Sequence, residues 1–243
     1  MIRRVAGLGC LLLVLLLGGC AQGGTSSRLS SFDPKQIAKG DIDRVADAHR
    51  RAVFDSVRLL AEKLYRRNPR EWRKGGHASM EAALDRLLDP RTNWRLAELA
   101  DQARRPATDK IVIAFREDYS GDRVAAFVAG IGGMLNEAFE NKTEFFMLDD
   151  LDPQKFYNSA RNLEIAAWKL GSARDAGGQL ILLSNEMWPP PDAPNLSFER
   201  EFGKLIGNLD LLAKVIAEKE NRAIARVAQG VASAVFLPVA AFK

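Results

Sequence analysis

Two histidines, two cysteines and a surplus of carboxylates are the groups with which this 243-residue chain can do chemistry. His49 lies four residues after Val45 and four before Val53, on the apolar face of a helical pattern. Burial there would shift its proton affinity and make it a candidate acid or base. A packed polar residue with one hydrogen bond is the simpler reading. His77 and Glu81 share a face only if both are helical, and Gly75-Gly76 places His77 ahead of the helix. Neither histidine belongs to an HExxH motif or a Cys/His cluster of metal-ligand spacing, so no metal or cofactor is expected. The chain has no GxSxG, and Gly130-Ile131-Gly132-Gly133 lacks the Lys-Ser/Thr sequel of a phosphate loop. Asp149, Asp150 and Asp152 lack the alternation, glycine and distal glutamate of a calcium loop and read as a turn and a helix cap. No catalytic residue is assigned. An enzymatic reading would need a hydrolase assembled from distant helices, with His49 or Glu164 as participants.

Two surface patterns point to binding instead. Tyr157, Arg161, Glu164 and Trp168 recur at spacings of four and three, an aromatic and charged stripe of the kind found lining clefts and interfaces. The alternative is a helix packed on two sides with an internal Arg–Glu pair. Asn158, Asn162 and Lys169 fall opposite the main apolar face and are expected in solvent. The stretch from Arg50 to Lys74 holds nine Lys/Arg against Asp55, Glu62 and Glu71. Near a membrane such a patch meets anionic head groups, at about 1 kcal/mol per basic side chain. Otherwise it is an ordinary solvated face.

The elements that must carry these residues read as helices. Asp33-Pro34, Asn68-Pro69, Asp89-Pro90 and Asp152-Pro153 each set a capping side chain before a proline, which suits a first helical position because its missing N–H has no helical partner anyway. Ile42, Val45, Val53, Val57, Leu60 and Leu64 recur at helical spacing, predicting a helix that ends near Asn68. Shorter helices are expected from Ser79 to Leu88 and around Trp94 to Arg104. The segment from Asp109 to Phe139 predicts two helices or one bent one, interrupted at Ser120-Gly121. Ala126, Gly130 and Gly133 give its second part a side without bulk for a neighbouring helix. Another helix runs from Pro153 to about Ala173. Gln179 to Leu183 is at most one short isolated strand, and the prolines of residues 187–194 call for an extended connection. The last helix, starting after Ser197 and running towards Leu237, is expected to be the longest, with a weak seam at Lys219 to Asn221. The fold class is therefore all-α, a single multi-helix domain over residues 33–243.

The N-terminus has its own order: Arg3 and Arg4, an apolar run from Val5 to Leu17, then Gly18, Gly19 and Cys20. This is the charged, apolar, small-residue sequence of an export signal. The run is broken by glycines and falls short of the about 20 residues that span a bilayer. Leu17-Gly18-Gly19-Cys20 resembles the lipobox of bacterial lipoproteins. The resemblance covers residues 1–20 and implies cleavage between Gly19 and Cys20, a thioether-linked diacylglycerol on Cys20, and a third acyl chain on the new α-amino group. Several acyl chains hold a protein on its membrane where one would not. Ala21 follows the cysteine where inner-membrane lipoproteins often carry Asp, so the implied destination is the outer membrane, facing the periplasm. Residues 20–32 are then the lipidated N-terminus and a Gly/Ser-rich tether.

Processing would remove Cys10 together with Arg3 and Arg4, lowering Lys plus Arg from 35 to 33 against 31 acidic residues, a net charge of +2. The domain would then have no disulfide to rely on. Export and the modest charge make nucleic acid an unexpected partner. The expected function is a membrane-anchored helical binding or scaffold module of the cell envelope, with a hydrolase or a carrier of an apolar ligand as alternatives. Cys20→Ser is expected to abolish incorporation of an alkyne-palmitate label; undiminished labelling would refute the anchor.

Overall fold

Apolar residues on every side of the segment after Ser120 leave it no face for water, and it becomes the axis around which the other helices gather. The computed structural model describes residues 39–96, 99, 106–147, 149–186, 194–221, 224–225 and 235–239. The signal, Gly19, Cys20, the tether and the Asp33-Pro34 junction lie outside the described residues, as do most of the proline-rich connection and of the segment from Trp94 to Arg104. Among the described residues there are seven α-helices and no strand: α1 (Asp41–Arg67), α2 (Pro69–Lys74), α3 (Met80–Leu87), α4 (Ala107–Ile113), α5 (Arg123–Ala138), α6 (Pro153–Ser172) and α7 (Ser197–Glu220). The chain is all-α, and residues 38–243 form one unit around a continuous apolar core. No described helix is long and apolar enough to cross a membrane.

Helix α5 buries 14 of its 16 residues. Its glycines admit neighbours that a side chain would exclude. A Cβ on Gly130 would lie 2.6 Å from Ile111 Cγ1 and 2.7 Å from the Ile111 amide nitrogen, so α4 rests directly on the α5 backbone. At Gly132 the same atom would stand 2.3 Å from the Trp94 ring. The N-terminus of α5, buried with the rest, draws its hydrogen-bond partners from two carboxylates. Asp122 accepts from Ala125 N at 2.9 Å, and Glu71 of α2 accepts from Arg123 N at 2.9 Å. Negative charge at this end also meets the positive pole of the helix dipole. Burial pushes the Asp122 carboxyl above its ordinary value, opposed by the Ala125 amide and by the Tyr65 hydroxyl, which donates at 2.8 Å.

Around this axis, α6 and α7 pack most extensively against each other, and α1 crosses both α7 and α5. The four-and-three seam of α7 is fully used: Phe198, Phe202, Leu205, Leu209, Leu212 and Ile216 are all buried. The helix stops at Glu220 instead of continuing towards Leu237, and α1, at 27 residues, is longer than its 24. Lys219 and Glu220 interrupt the apolar seam, and Asn221 closes the helix in a left-handed conformation with φ 51°.

Other departures from the sequence reading share one cause, the claim of tertiary partners on polar groups. Val45 is exposed, because the first turns of α1 bury Asp43 and Asp47 instead. Asp43 accepts from Gly40 N at 2.7 Å, while Asp47 pairs with Lys39 and accepts from Phe145 N at 3.0 Å. Asn68 does not cap α2 with its side chain. Its amide instead bridges to Leu183, donating to the carbonyl at 2.9 Å and accepting from the N–H at 2.8 Å. Residues 179–183 consequently make no strand; Leu180 forms only an isolated bridge with Arg174. Trp94 starts no helix, since its φ is 61°.

Asn158 and Asn162 are buried, where the periodicity expected solvent. Asn162 accepts from Leu237 N at 2.7 Å and donates to Leu237 O at 2.8 Å, while Asn158 donates to Pro238 O at 2.8 Å. The segment 235–239 thus covers a face of α6 that the sequence presents as polar.

The glycine contacts set opposite expectations for one substitution at two places. Gly130→Ala is expected to cost about 1–3 kcal/mol through overpacking against Ile111, outweighing the roughly 1 kcal/mol that alanine brings to a helix interior. On the exposed face of α7, where a Cβ at Gly207 meets nothing within 4 Å, Gly207→Ala should stabilise by about 0.4–1 kcal/mol. Urea unfolding of the two variants measures both, and a neutral Gly130→Ala would refute the close approach of α4.

Candidate functional site

A half-open cleft of about 490 Å³ lies between α1, the turn that follows α3, and the corner after α5. One wall is a face of α1 carrying Arg50, Phe54, Asp55 and Arg58. The opposite wall is Leu88, Asp89, Pro90, Asn93 and Trp94, and the end is closed by Asn136, Asn141 and Thr143.

Aromatic stacking fixes the first wall to the second. The Trp94 indole occupies the space above Gly132 and stacks on Phe54, with ring centroids 5.7 Å apart and planes 21° from parallel. The Arg50 guanidinium in turn lies over the Phe54 ring, 4.5 Å from its centroid. A short 3-10 turn, Pro90–Thr92, delivers Asn93 and Trp94. Asp89 opens that turn and is committed to Arg91, accepting from its backbone N at 2.9 Å and from the guanidinium at 2.7 and 3.0 Å. Those bonds hold its carboxyl down at about 2.

The end wall is a chain of three amides. Asn136, buried in the last turn of α5, donates through Nδ2 to Asn93 Oδ1 at 2.6 Å and to Asn141 Oδ1 at 2.9 Å. Two corners from distant parts of the chain are thereby pinned to one side chain. Both corners hold unusual backbone. Of five non-glycine residues with positive φ among the described residues, four sit here: Asn93 at 46°, Trp94 at 61°, Glu140 at 53° and Asn141 at 57°. Asparagine adopts this region readily, whereas tryptophan and glutamate do so at a cost and persist when their surroundings dictate it. Such clustering marks functional sites more often than plain connections.

Electrostatics set this cleft apart from the rest of the surface. Desolvation lowers the proton affinity of Arg50, partly countered by Asp47 acting through space. Asp47 itself is already engaged by Lys39 and Phe145 N. Arg50 Nε is shielded without a hydrogen-bond partner, and neither Arg50 nor Arg58 has an ion pair among the described residues. A second recess, of about 60 Å³, shares Asn93, Asn136 and Asn141 and adds Lys110 and Glu137. Burial lowers the Lys110 ammonium and raises the Glu137 carboxyl, each opposed by the other's charge. At about 30 Å³ per water that recess holds no more than solvent.

No known protein family, curated protein or solved structure is detectably similar to this chain. The site therefore stands on its own geometry.

The residues singled out by sequence lie elsewhere. His49 is half-buried on α1, its Nδ1 shielded and without a partner, and it does not line the cleft. Tyr157, Arg161, Glu164 and Trp168 do follow one another along α6, but the stripe is tied across the seam with α7. Arg161 Nη2 reaches Asp210 of α7 at 2.9 Å and Glu164 at 3.0 Å, with its guanidinium 5.1 Å over Tyr157. Burial raises the Glu164 carboxyl, opposed by Arg161. Trp168 is left 40% exposed at the end of the stripe. Asp149 pairs with Lys142 and accepts from Phe146 N at 2.9 Å, and Asp152 caps α6 through Gln154 N at 2.9 Å. No group of three or more potential ligands is placed to hold a metal among the described residues.

Sequence reasoning reached Arg50 and Arg58 only as part of the basic stretch and passed over Phe54, Asn93, Trp94, Asn136 and Asn141. One signal was available: an asparagine inside an otherwise apolar, glycine-bearing helix must find partners when that helix is buried. Asn136→Ala is expected to cost about 1–3 kcal/mol and to speed amide hydrogen exchange at residues 93–94 and 140–141. Unchanged exchange there would show that the two corners hold themselves.

Proposed function

We propose that this chain is a lipid-anchored protein of the bacterial cell envelope whose helical domain is a binding module, and that the cleft beside Arg50 is its ligand site. The cleft carries the reading: it is a preformed concavity of ligand size in which Phe54, Leu88, Pro90 and Trp94 supply apolar surface and eight polar or charged side chains converge, and such concavities are where small molecules bind. Backbone strain concentrated at its corners supports it. Anchoring at Cys20 would hold the module on the outer membrane, facing the periplasm, where its ligand is a polar molecule of that compartment or the head group of a membrane lipid.

Binding is favoured over hydrolysis because Asp55 is the one cleft carboxylate left uncommitted among the described residues, with no second acid or base beside it to form a pair. Asp89 is locked to Arg91 with its carboxyl near 2, which suits neither a general acid nor a general base at neutral pH. His49 and Glu164 stand outside the cleft. A lipid-chain carrier would need a continuous apolar cavity, whereas this one is closed by amides and flanked by arginines.

In-cell photo-crosslinking from Thr143, at the cleft, and from Trp168, on the α6 stripe, tests the proposal in the anchored protein. Capture of a small molecule, glycan or lipid from Thr143 is the expected result. Capture from Trp168 alone would move the function to the α6 stripe.

A further inference from the structure

We infer that the cleft selects an organic monoanion, a carboxylate or similar singly charged head carried on an apolar or hydroxylated body, with Arg50 as the group that holds the charge. This inference rests on the cleft being a ligand site and adds what enters it. Three observations carry it.

The first is that Arg50 makes no ion pair among the described residues, its nearest acid, Asp47, acting only through space while bound to Lys39 and to Phe145 N. Its guanidinium lies 4.5 Å over the Phe54 ring, which itself is stacked on Trp94, so the cation is placed beside the cleft by a built contact. Its Nε is shielded from water without a partner. A half-buried cation without a direct ion-pair partner is stabilised by an anion that can reach it, and a planar guanidinium matches a carboxylate in two-pronged fashion.

The second is the direction of the amide chain. Asn136 donates to the side-chain oxygens of both Asn93 and Asn141, so each oxygen is already partly engaged and both NH2 groups remain as donors. With the Thr143 hydroxyl and Arg58 they make the polar lining of the cleft rich in donors. Such a lining suits a ligand rich in acceptors.

The third limits the charge. Asp55 stands on the same face of α1 and has no ion pair among the described residues, and the Asp89 carboxylate is also part of the wall. Two acids in the lining oppose a dianion such as a phosphomonoester. Asp55 instead accepts from a hydroxyl or ammonium on the ligand body, while Leu88 and Pro90 receive its apolar part.

Isothermal titration of the full chain in a neutral detergent separates the head from the body of the ligand. The probes are 3-phenylpropanoate, 3-phenylpropan-1-ol and 3-phenylpropylamine, which share one body and differ in the head. At low ionic strength the acid is expected to bind about tenfold tighter than the alcohol, equivalent to about 1.4 kcal/mol, and the amine weaker than both. Added salt should narrow the gap. Arg50→Gln should erase the preference for the acid, and Asn93→Asp, which keeps the acceptor for Asn136 and tolerates the positive φ, should weaken the acid while sparing the alcohol. Helical circular dichroism checks that both variants fold. Equal affinity for acid and alcohol, or an acid preference that survives in both variants, would overturn the monoanion inference and leave the cleft as a ligand site. Binding of none of the three probes would overturn the inference and the cleft reading together.

Discussion

A helix without a solvent face imposes the governing constraint on this fold. The backbone groups at its two ends have no water to bond, so every one must find a partner inside the protein. At the start of α5 the partners are Asp122 and Glu71; at its end, Asn141 N donates to the Asn136 carbonyl at 2.8 Å and Phe139 N to that of Leu135 at 3.0 Å. Each solution recruits another part of the chain. Glu71 brings α2 to the N-terminus, and the corner at residues 139–141 is bent back over the C-terminus.

The cleft follows from the second of these arrangements. Once the corner is turned back, the Asn136 side chain is buried with it and must use its own donors, which it does by gripping Asn93 and Asn141. Gly132 leaves room for Trp94 on the α5 backbone, and Trp94 then draws Phe54 of α1 into a stack. The concavity lies among three elements joined by these contacts. Asn136 at its floor is buried, while Arg58, Asn93, Asn141 and Thr143 around it remain exposed to solvent.

The same demand explains where polar residues went astray from their periodicity. Helical spacing assigns Asn158 and Asn162 to the outside, but an asparagine amide can replace a backbone partner, and both are taken up by residues 237–238. Asn68 does the same for Leu183, supplying the bonds that a neighbouring strand would have made. On α6, Arg161 faces Asp210 of α7, so a stripe that sequence presents as a surface is partly a seam. In each case the short amide or guanidinium found a partner far away in the chain, which no local pattern records.

What the sequence by itself determined is the part governed by neighbours a few residues apart. The helical class, the break between α4 and α5, the cap of Asp152 on α6, the buried seam of α7 and the small face of α5 all follow from spacing, capping and glycine content. The order of residues 1–20 likewise carries the expectation of a lipid anchor without reference to any fold. Tertiary structure alone decided the left-handed corners at Asn93, Trp94, Glu140 and Asn141, and the meeting of Arg50, Phe54, Trp94 and Asn136 around one cavity. These depend on partners forty residues or more away for Phe54 with Trp94 and for Asn93 with Asn136. Periodicity reports which face of a helix is apolar; it holds no information on which distant amide or ring will be waiting there.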